Sequence, residues 1–395
     1  MSGGQVTVVI PQTFNFARTP AIYFGAGVFS TLPKLVFRPG KTALIVTGGS
    51  SLKSAGRLDN LLSSLRKDGI KYYIFQITGE PSPEMVDAAV SLFGGRGIDS
   101  VVGIGGGSVI DGAKAISAML PLGEGVFNYL EGVGAKAAHS GIKIPFTAVP
   151  TTSGTGSEAT KNAVLSRVGA DGFKKSLRHD NFVPDIALID PELTLSCPPD
   201  VAAACAMDAF TQLMESYVSV SASPMTDSLA IGALRLVIEN LEAAVNTKDI
   251  KAKSAMSYAA AISGITLANA GLGVVHGLAS TVGACFDIPH GVICGTMVGT
   301  ATRANIAALR ATGPAALQKY ADIGSLITGD AAVDPALDAL MEKLSHWTET
   351  LKMRRLGEFG IKQYHLEKLA AAASNKESPI RLSKDEIKSI LSERL

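Results

Sequence analysis

Up to about residue 190, short β-branched runs alternate with amphipathic helical stretches, and no other feature narrows the possible folds as far. Such alternation marks a parallel α/β sheet, because each parallel strand needs a crossover that returns the chain to the same end of the sheet. KTALIVTGG reads as a strand ending in a glycine turn, followed by SSLKSAGRLDNLLSSLRKDG as loop and helix. KYYIFQI is the next strand and EMVDAAVSLFGGRG the next helix. DSVVGIGGGSVIDGAKAISAML then gives strand, glycine turn and helix, IPFTAVPTTSGTGSEAT a strand running into a polar loop, and DIALIDP the last strand. From about Pro191 onward the chain reads almost wholly helical, with an alanine-rich middle. A chain of 395 residues exceeds what one core usually sustains, so two units are expected, α/β over 1–190 and all-α over 191–395. Ser383 and Glu386 stand in capping-box spacing in SKDEIKSILSERL, which predicts a terminal helix.

Charge removes several classes of partner. With 36 basic and 35 acidic residues the formal charge is +1, and no basic cluster is interleaved with aromatics. Neither nucleic acid nor an anionic membrane is expected as a partner. Cys197, Cys205, Cys285 and Cys294 lack CxxC spacing and read as free thiols of a reducing cytoplasm. The N-terminus MSGGQVTVVIPQTFNF has neither a basic head nor a long apolar stretch, so no signal peptide is expected. Residues 256–286 carry no charge, but their glycine, serine, alanine and asparagine fit closely packed buried helices better than lipid contact.

Gly105, Gly106 and Gly107 follow a strand and precede a helix, so backbone N–H groups and the positive end of the helix dipole can meet a pyrophosphate there. Ser108 and Asp111 also fit an N-cap and N3 pair, which would commit Asp111 to the helix rather than to a ligand. No early GxGxxG is followed by an acid about twenty residues on. No GxxxxGK[ST] loop is present, which argues against an ATPase. The segment Pro150–Glu158 packs five hydroxyls and two glycines after an apolar strand, where an open α/β sheet binds ligands; a solvated turn is the plain alternative.

GLGVVHGLASTVGACFDIPHG delivers His276 and His290 into a nearly uncharged setting. Upstream, Asp208 and Gln212 are four residues apart in MDAFTQLMESYVS and share a helix face. One carboxylate, two imidazoles and an amide oxygen form a credible ligand set for a divalent cation, with room for a substrate oxygen. The alternative is that both histidines are hydrogen-bonded core residues.

With GGGSVIDGAK, PTTSGTGSEAT, KKSLRHDNFVPDIALIDP, MDAFTQLMESYVS and GLGVVHGLAS followed by FDIPHG in order, the chain resembles the iron-containing (group III) alcohol dehydrogenases along essentially its whole length. The resemblance implies a Rossmann-like N-terminal dinucleotide-binding domain, an all-α metal- and substrate-binding domain, and hydride transfer between NAD(P)(H) and a small alcohol or its carbonyl partner. It places metal ligands on Asp208, Gln212, His276 and His290. Most iron-binding relatives have histidine where this chain has Gln212, and the weaker amide donor makes Zn²⁺ as reasonable an expectation as Fe²⁺. Ser280 replaces a histidine thought to relay protons, so a route through water, the cofactor ribose and Ser280 is expected, beside His276 and Asp208 in the chemistry.

For the cofactor, the resemblance implies pyrophosphate on Gly105, Gly106, Gly107 and Ser108, with Asp111, Thr151, Thr152 and Thr155 nearby and Lys174 toward the ribose. NAD-specific members often carry an aspartate where this chain has Gly48; with Ser50 and Ser51 adjacent, NADPH is expected to be accepted and even preferred over NADH. A homodimer or larger homo-oligomer is expected. Two other enzyme readings remain open at this point, a metal-independent reductase resembling maleylacetate reductase and a lyase resembling dehydroquinate synthase.

Overall fold

The structure is a computed structural model describing residues 13–37, 41–49, 51–135, 138–169 and 171–395. Its first half runs β1 (Ala21–Phe24), α1 (Leu32–Val36), β2 (Thr42–Thr47), α2 (Ser51–Ser54), α3 (Arg57–Lys67), β3 (Lys71–Gln76), α4 (Pro83–Phe93), β4 (Ser100–Gly105), α5 (Gly107–Met119), β5 (Phe146–Pro150), β6 (Asn162–Arg167), β7 (Phe173–Arg178) and β8 (Ile186–Ile189). Six strands form one sheet in the order β1-β8-β5-β4-β2-β3, every neighbouring pair parallel. β4 and β5 are buried at every position, and β2 at all but its first. Their unbroken apolar runs suit a parallel sheet covered on both faces.

The chain leaves β2 for β3 on one side and returns to place β4 on the other. That reversal puts the turns after β2 and β4 side by side at the carboxyl edge, where doubly wound sheets bind ligands. Thr47 is in register with Ile104, and Gly105 with Pro150, so the three strands end level.

The five strands expected from the alternation are present, but two features were not expected. β1 is only four residues long and exposed throughout, so it carries no burial pattern to read. β6 and β7 form an antiparallel hairpin outside the main sheet. In β7 only Leu177 is fully buried, and alternating Lys174, Ser176 and Arg178 mask the strand. One expectation is corrected. The N-cap of α5 is Gly106 with no side-chain cap, so Ser108 does not cap the helix, and Asp111 instead accepts the Val164 N–H at 3.1 Å.

The second half is helical: α6 (Pro199–Val218), α7 (Pro224–Asn246), α8 (Ile250–Ala270), α9 (Val274–Cys285), α10 (His290–Thr312), α11 (Pro314–Thr328), α12 (Val333–Thr350), α13 (Leu366–Ala372) and α14 (Lys384–Glu393). Ser383 and Glu386 close the expected capping box on α14. α6 is central, packing on α7, α8 and α10. Between α8 and α9 the chain bends by 99° at a break beginning with Gly271, whose φ is +73°. The bend folds α9 back toward α6. Among the described residues α10 is long and apolar enough to cross a membrane, as are α8 and α9 taken together, yet 67% of the apolar stretch of α10 is buried within the fold.

The polar loop after β5 joins the halves. Gly156 (φ +61°) lies against Gly264 of α8, where a Cβ would come within 2.2 Å of the Gly156 carbonyl oxygen, so neither position has room for a side chain. Beside it, Ser153 and Ser257 are hydrogen-bonded at 3.0 Å.

Candidate metal centre and dinucleotide cleft

Three helices bring four side chains to one point. α6 contributes Asp208, α9 contributes His276, and α10 contributes His290 as its first residue and Cys294 one turn later. One donor atom from each lies within 4.8 Å of the others. The Asp208 Oδ1 oxygen is 3.3 Å from His276 Nε2 and 3.8 Å from His290 Nε2. Cys294 Sγ is 3.7 Å and 3.8 Å from the same two nitrogens. A carboxylate, two imidazoles and a thiol are donors that suit a first-row divalent ion.

Glu215, two turns beyond Asp208 on α6, supports the centre from behind. Its carboxylate accepts the N–H groups of Gly273 (2.8 Å) and Val275 (2.7 Å) at the start of α9, where the helix dipole favours a negative charge. It also lies 2.7 Å from His276 Nδ1. A proton held on Nδ1 fixes the tautomer that a metal ligand requires, with Nε2 turned toward Asp208 and giving up its own proton when a cation binds.

Burial pushes the His290 pKa down to about 3, helped by the positive charges of Lys174, His276 and Lys376, so this ring is neutral at physiological pH. For Asp208 burial works toward a raised pKa, but the adjacent imidazoles outweigh it and the carboxylate stays ionised. For His276 burial is again outweighed, here by Cys294, Asp208 and Glu215, and the pKa rises well above the ordinary imidazole value. The Cys294 thiol is itself pushed up to about 12 by burial, so at neutral pH the two carboxylates carry that effect.

Of the residues expected at the metal, Asp208, His276 and His290 are brought together. Gln212 lines the same cavity, but its Oε1 already accepts the Ser263 hydroxyl at 2.6 Å. Cys294 and Glu215 were not anticipated. The first had a local signal, four residues after His290 on one helix. Glu215 had none, because its partners lie about sixty residues away. Ser280 lines the cavity, and its hydroxyl donates to the His276 carbonyl at 2.9 Å.

The cofactor residues border two cavities that meet at the glycine turn. Gly48, Gly49, Gly105, Gly106, Thr151 and Thr152 line one of about 220 Å³. Gly107, Ser108, Asp111, Thr155 and Lys174 line the other, of about 460 Å³, which also holds His276 and His290. A Cβ on Gly107 would come within 2.5 Å of the Thr155 side chain, so the turn approaches the opposite loop as closely as a glycine backbone allows. Lys174 is paired with Glu80 at 3.0 Å. Ser50 lies outside the described residues, and Ser51 begins α2.

Beneath the turn, fully buried Lys114 ties α5 to the polar loop through the Ser157, Thr160 and Asn162 carbonyls at 2.8–2.9 Å. Burial pushes the nearby Glu158 carboxyl up to about 7. A carboxyl raised in the folded state adds stability below its unfolded pKa, and that contribution is lost as pH rises through 7. Glu158→Gln is therefore expected to stabilise the chain by about 1–3 kcal/mol at pH 8 and to change little near pH 4.5. Urea unfolding at the two pH values checks this; destabilisation at pH 8 would mean that the charged form is the stabilising one.

Comparison with known proteins agrees with this geometry. Residues 19–191 match the family described as iron-containing alcohol dehydrogenase, and residues 202–395 match the C-terminal part of the same family. The chain is 33% identical over 387 residues to long-chain-alcohol dehydrogenase 1 of Geobacillus thermodenitrificans, covering 94% of each chain. It is 31% identical over 385 residues to the NADPH-dependent butanol dehydrogenase of Clostridium saccharobutylicum, covering 93% of this chain and 95% of that one. The solved alcohol dehydrogenase from Oenococcus oeni superposes with a TM-score of 0.82 at 28% identity, covering 97% of this chain and all of the other. With both halves matched and the cation cluster opening onto the dinucleotide cleft, the chain belongs to the iron-containing alcohol dehydrogenase family and is an NAD(P)-linked, metal-dependent oxidoreductase.

Proposed function

We propose that Asp208, His276 and His290 hold the divalent ion, with Cys294 as a fourth donor, and that the cleft presents the nicotinamide of NAD(P)(H) to a small alcohol or aldehyde at that ion. The observation that carries this is the shared cavity: the turn residues Gly107 and Ser108 and the imidazoles of His276 and His290 face one space. When bound, the ion supplies Lewis-acid polarisation of the substrate oxygen and the nicotinamide supplies the hydride. The donor set suits Fe²⁺ and Zn²⁺ alike.

The protein's own groups do the positioning. Uncapped N–H groups at the start of α5 suit the pyrophosphate. Asp111 Oδ1 is buried on the same cavity without a hydrogen-bond partner, which supports it as an acceptor for the nicotinamide carboxamide. The Ser280 proton is committed to the His276 carbonyl, so any proton relay through this hydroxyl must exchange that bond.

Among the described residues no acidic side chain lines the smaller cavity, which supports acceptance of the 2′-phosphate of NADPH. Gly48→Asp is expected to lower kcat/KM for NADPH about tenfold or more while affecting NADH far less. A Cβ at Gly48 would sit 3.1 Å from Val109 Cγ2, a contact a small shift relieves. Equal losses with both cofactors would indicate a packing fault instead of repulsion.

Residues 1–190 and 191–395 are read as the cofactor and metal units, a division supported by the change from strands to helices after β8. An exposed edge strand presenting Ile22, Tyr23 and Phe24 at 40–43% exposure supports a homo-oligomer, and four free thiols support a cytoplasmic location. The deciding experiment is NADPH oxidation with short aldehydes before and after chelation, then with Fe²⁺ or Zn²⁺ restored. Activity indifferent to chelation would move the chain to the metal-free reductases.

A further inference from the structure

Where the two halves meet lies a further small cavity, of about 20 Å³, that shares no lining residue with the metal cavity. Its polar lining is Ser153 from the loop after β5, Thr194 and Cys197 from the segment leading into α6, and Lys253 from α8. The rest of the wall is alanine, valine and methionine. Lys253 is the unusual member. It is only 5% exposed, and its side chain makes no hydrogen bond or ion pair with any described residue. The few residues outside the described ones include no aspartate or glutamate, so no carboxylate of the chain pairs with it.

A lysine is almost never enclosed without a counter-charge, because the desolvated ammonium has nothing to replace its water. The place of Lys253 on α8 adds to the cost. It is the fourth residue of a helix whose first turn holds no acid, where the dipole presents its positive end. Asp249, the N-cap, already accepts the Lys251 N–H at 2.9 Å. A negative charge in the cavity relieves both the burial and the dipole. Donors for one converge there from separate segments. Ser153 and Ser257 share a hydrogen bond of 3.0 Å in which either hydroxyl can donate; with Ser257 donating, the Ser153 proton is left for a ligand. Cys197 adds a thiol, a weak donor. Thr194 adds none, since its hydroxyl donates to the Pro191 carbonyl at 2.7 Å. The volume suits one occupant about the size of a water molecule, which a monatomic anion matches and a phosphate exceeds.

We infer that this cavity is a halide site, in which a chloride ion pairs with the Lys253 ammonium and takes further hydrogen bonds from the Ser153 hydroxyl and the Cys197 thiol. Bound there, the ion ties the loop after β5 to the segment before α6 and to α8, three parts of the joint between the halves. It uses neither the metal donors nor the substrate, so the site stands or falls separately from the dehydrogenase reading.

The test is thermal unfolding of the full chain as sodium gluconate is exchanged for sodium chloride. Gluconate is too large for the cavity, and constant ionic strength leaves general screening unchanged. In the natural chain Tm is expected to rise by about 3 °C and to saturate, and in Lys253→Met to stay level. In gluconate Lys253→Met should be the more stable of the two, because it removes a buried charge without a partner, and chloride should close that gap. Bromide provides a readout that needs no variant. Crystals of the natural chain grown in bromide should show an anomalous scattering peak beside the Lys253 ammonium and the Ser153 hydroxyl. No response to chloride in the natural chain, an equal response in Lys253→Met, or bromide crystals without that peak overturns the site.

Discussion

Asp208→Asn is expected to yield a folded protein that has lost most of its metal and turns over about three orders of magnitude more slowly. The substitution keeps shape and volume and removes one charge. Asp208 is 1% exposed, and its Oδ1 faces both imidazoles. His290 is neutral there and Cys294 is a protonated thiol, so Asp208 is the one anion among the clustered donors at neutral pH. A dication enclosed without that charge faces the full cost of desolvation. About 4 kcal/mol of lost stabilisation corresponds to the thousandfold effect. Metal per chain and the rate of NADPH oxidation should fall together, with circular dichroism unchanged. Retention of both would show that other donors suffice. Gln212→Ala is expected to cost far less, since its oxygen already serves Ser263.

The parts of this molecule that could be read from its sequence are those whose signal is local. β2, β4, β5 and β8 stand out because each is a short β-branched run bounded by turns and buried along nearly all its length. β7 does not, since basic residues occupy its outward positions and a single leucine marks the buried face. Asp208, His276 and His290 were legible as residue types that seldom lie in apolar helices without a purpose. Cys294 was hidden among four cysteines without metal-binding spacing, although the helix brings it one turn from His290. The cap on α5 differs from the one its sequence spacing predicts, and the reason is physical. Ser108 in the N-cap position would have committed its side chain to the first N–H groups of the helix, whereas the observed glycine cap leaves them free for a ligand. Local helix grammar favoured closure at a turn whose function requires it to stay open.

Glu215 acquires its importance wholly from long-range contacts, and its replacement should have the second large effect. Glu215→Gln is expected to weaken metal affinity about 10–100-fold, and Glu215→Ala to add a loss of about 3 kcal/mol in stability. The buried carboxylate accepts from the N–H groups of Gly273, Val275 and His276 and lies 2.7 Å from His276 Nδ1. Glutamine has one acceptor oxygen and turns an NH₂ group toward donors, so either a backbone N–H of α9 or the imidazole loses its partner. If the imidazole loses it, Nδ1–H is no longer favoured, and the tautomer left when a cation displaces one proton no longer reliably frees Nε2 for it. Alanine removes every acceptor at once, leaving the buried start of α9 unsatisfied and its dipole uncompensated. Glu215→Asp retains the charge but is one methylene shorter, and should recover part of the stability before it recovers metal affinity, because the backbone contacts are several and the imidazole contact is single. Chelator competition measures the affinity and urea unfolding the stability. If Glu215→Gln bound metal as tightly as the natural chain, the tautomer of His276 would have to be held by the metal alone, and Glu215 would serve only as the remote cap of α9.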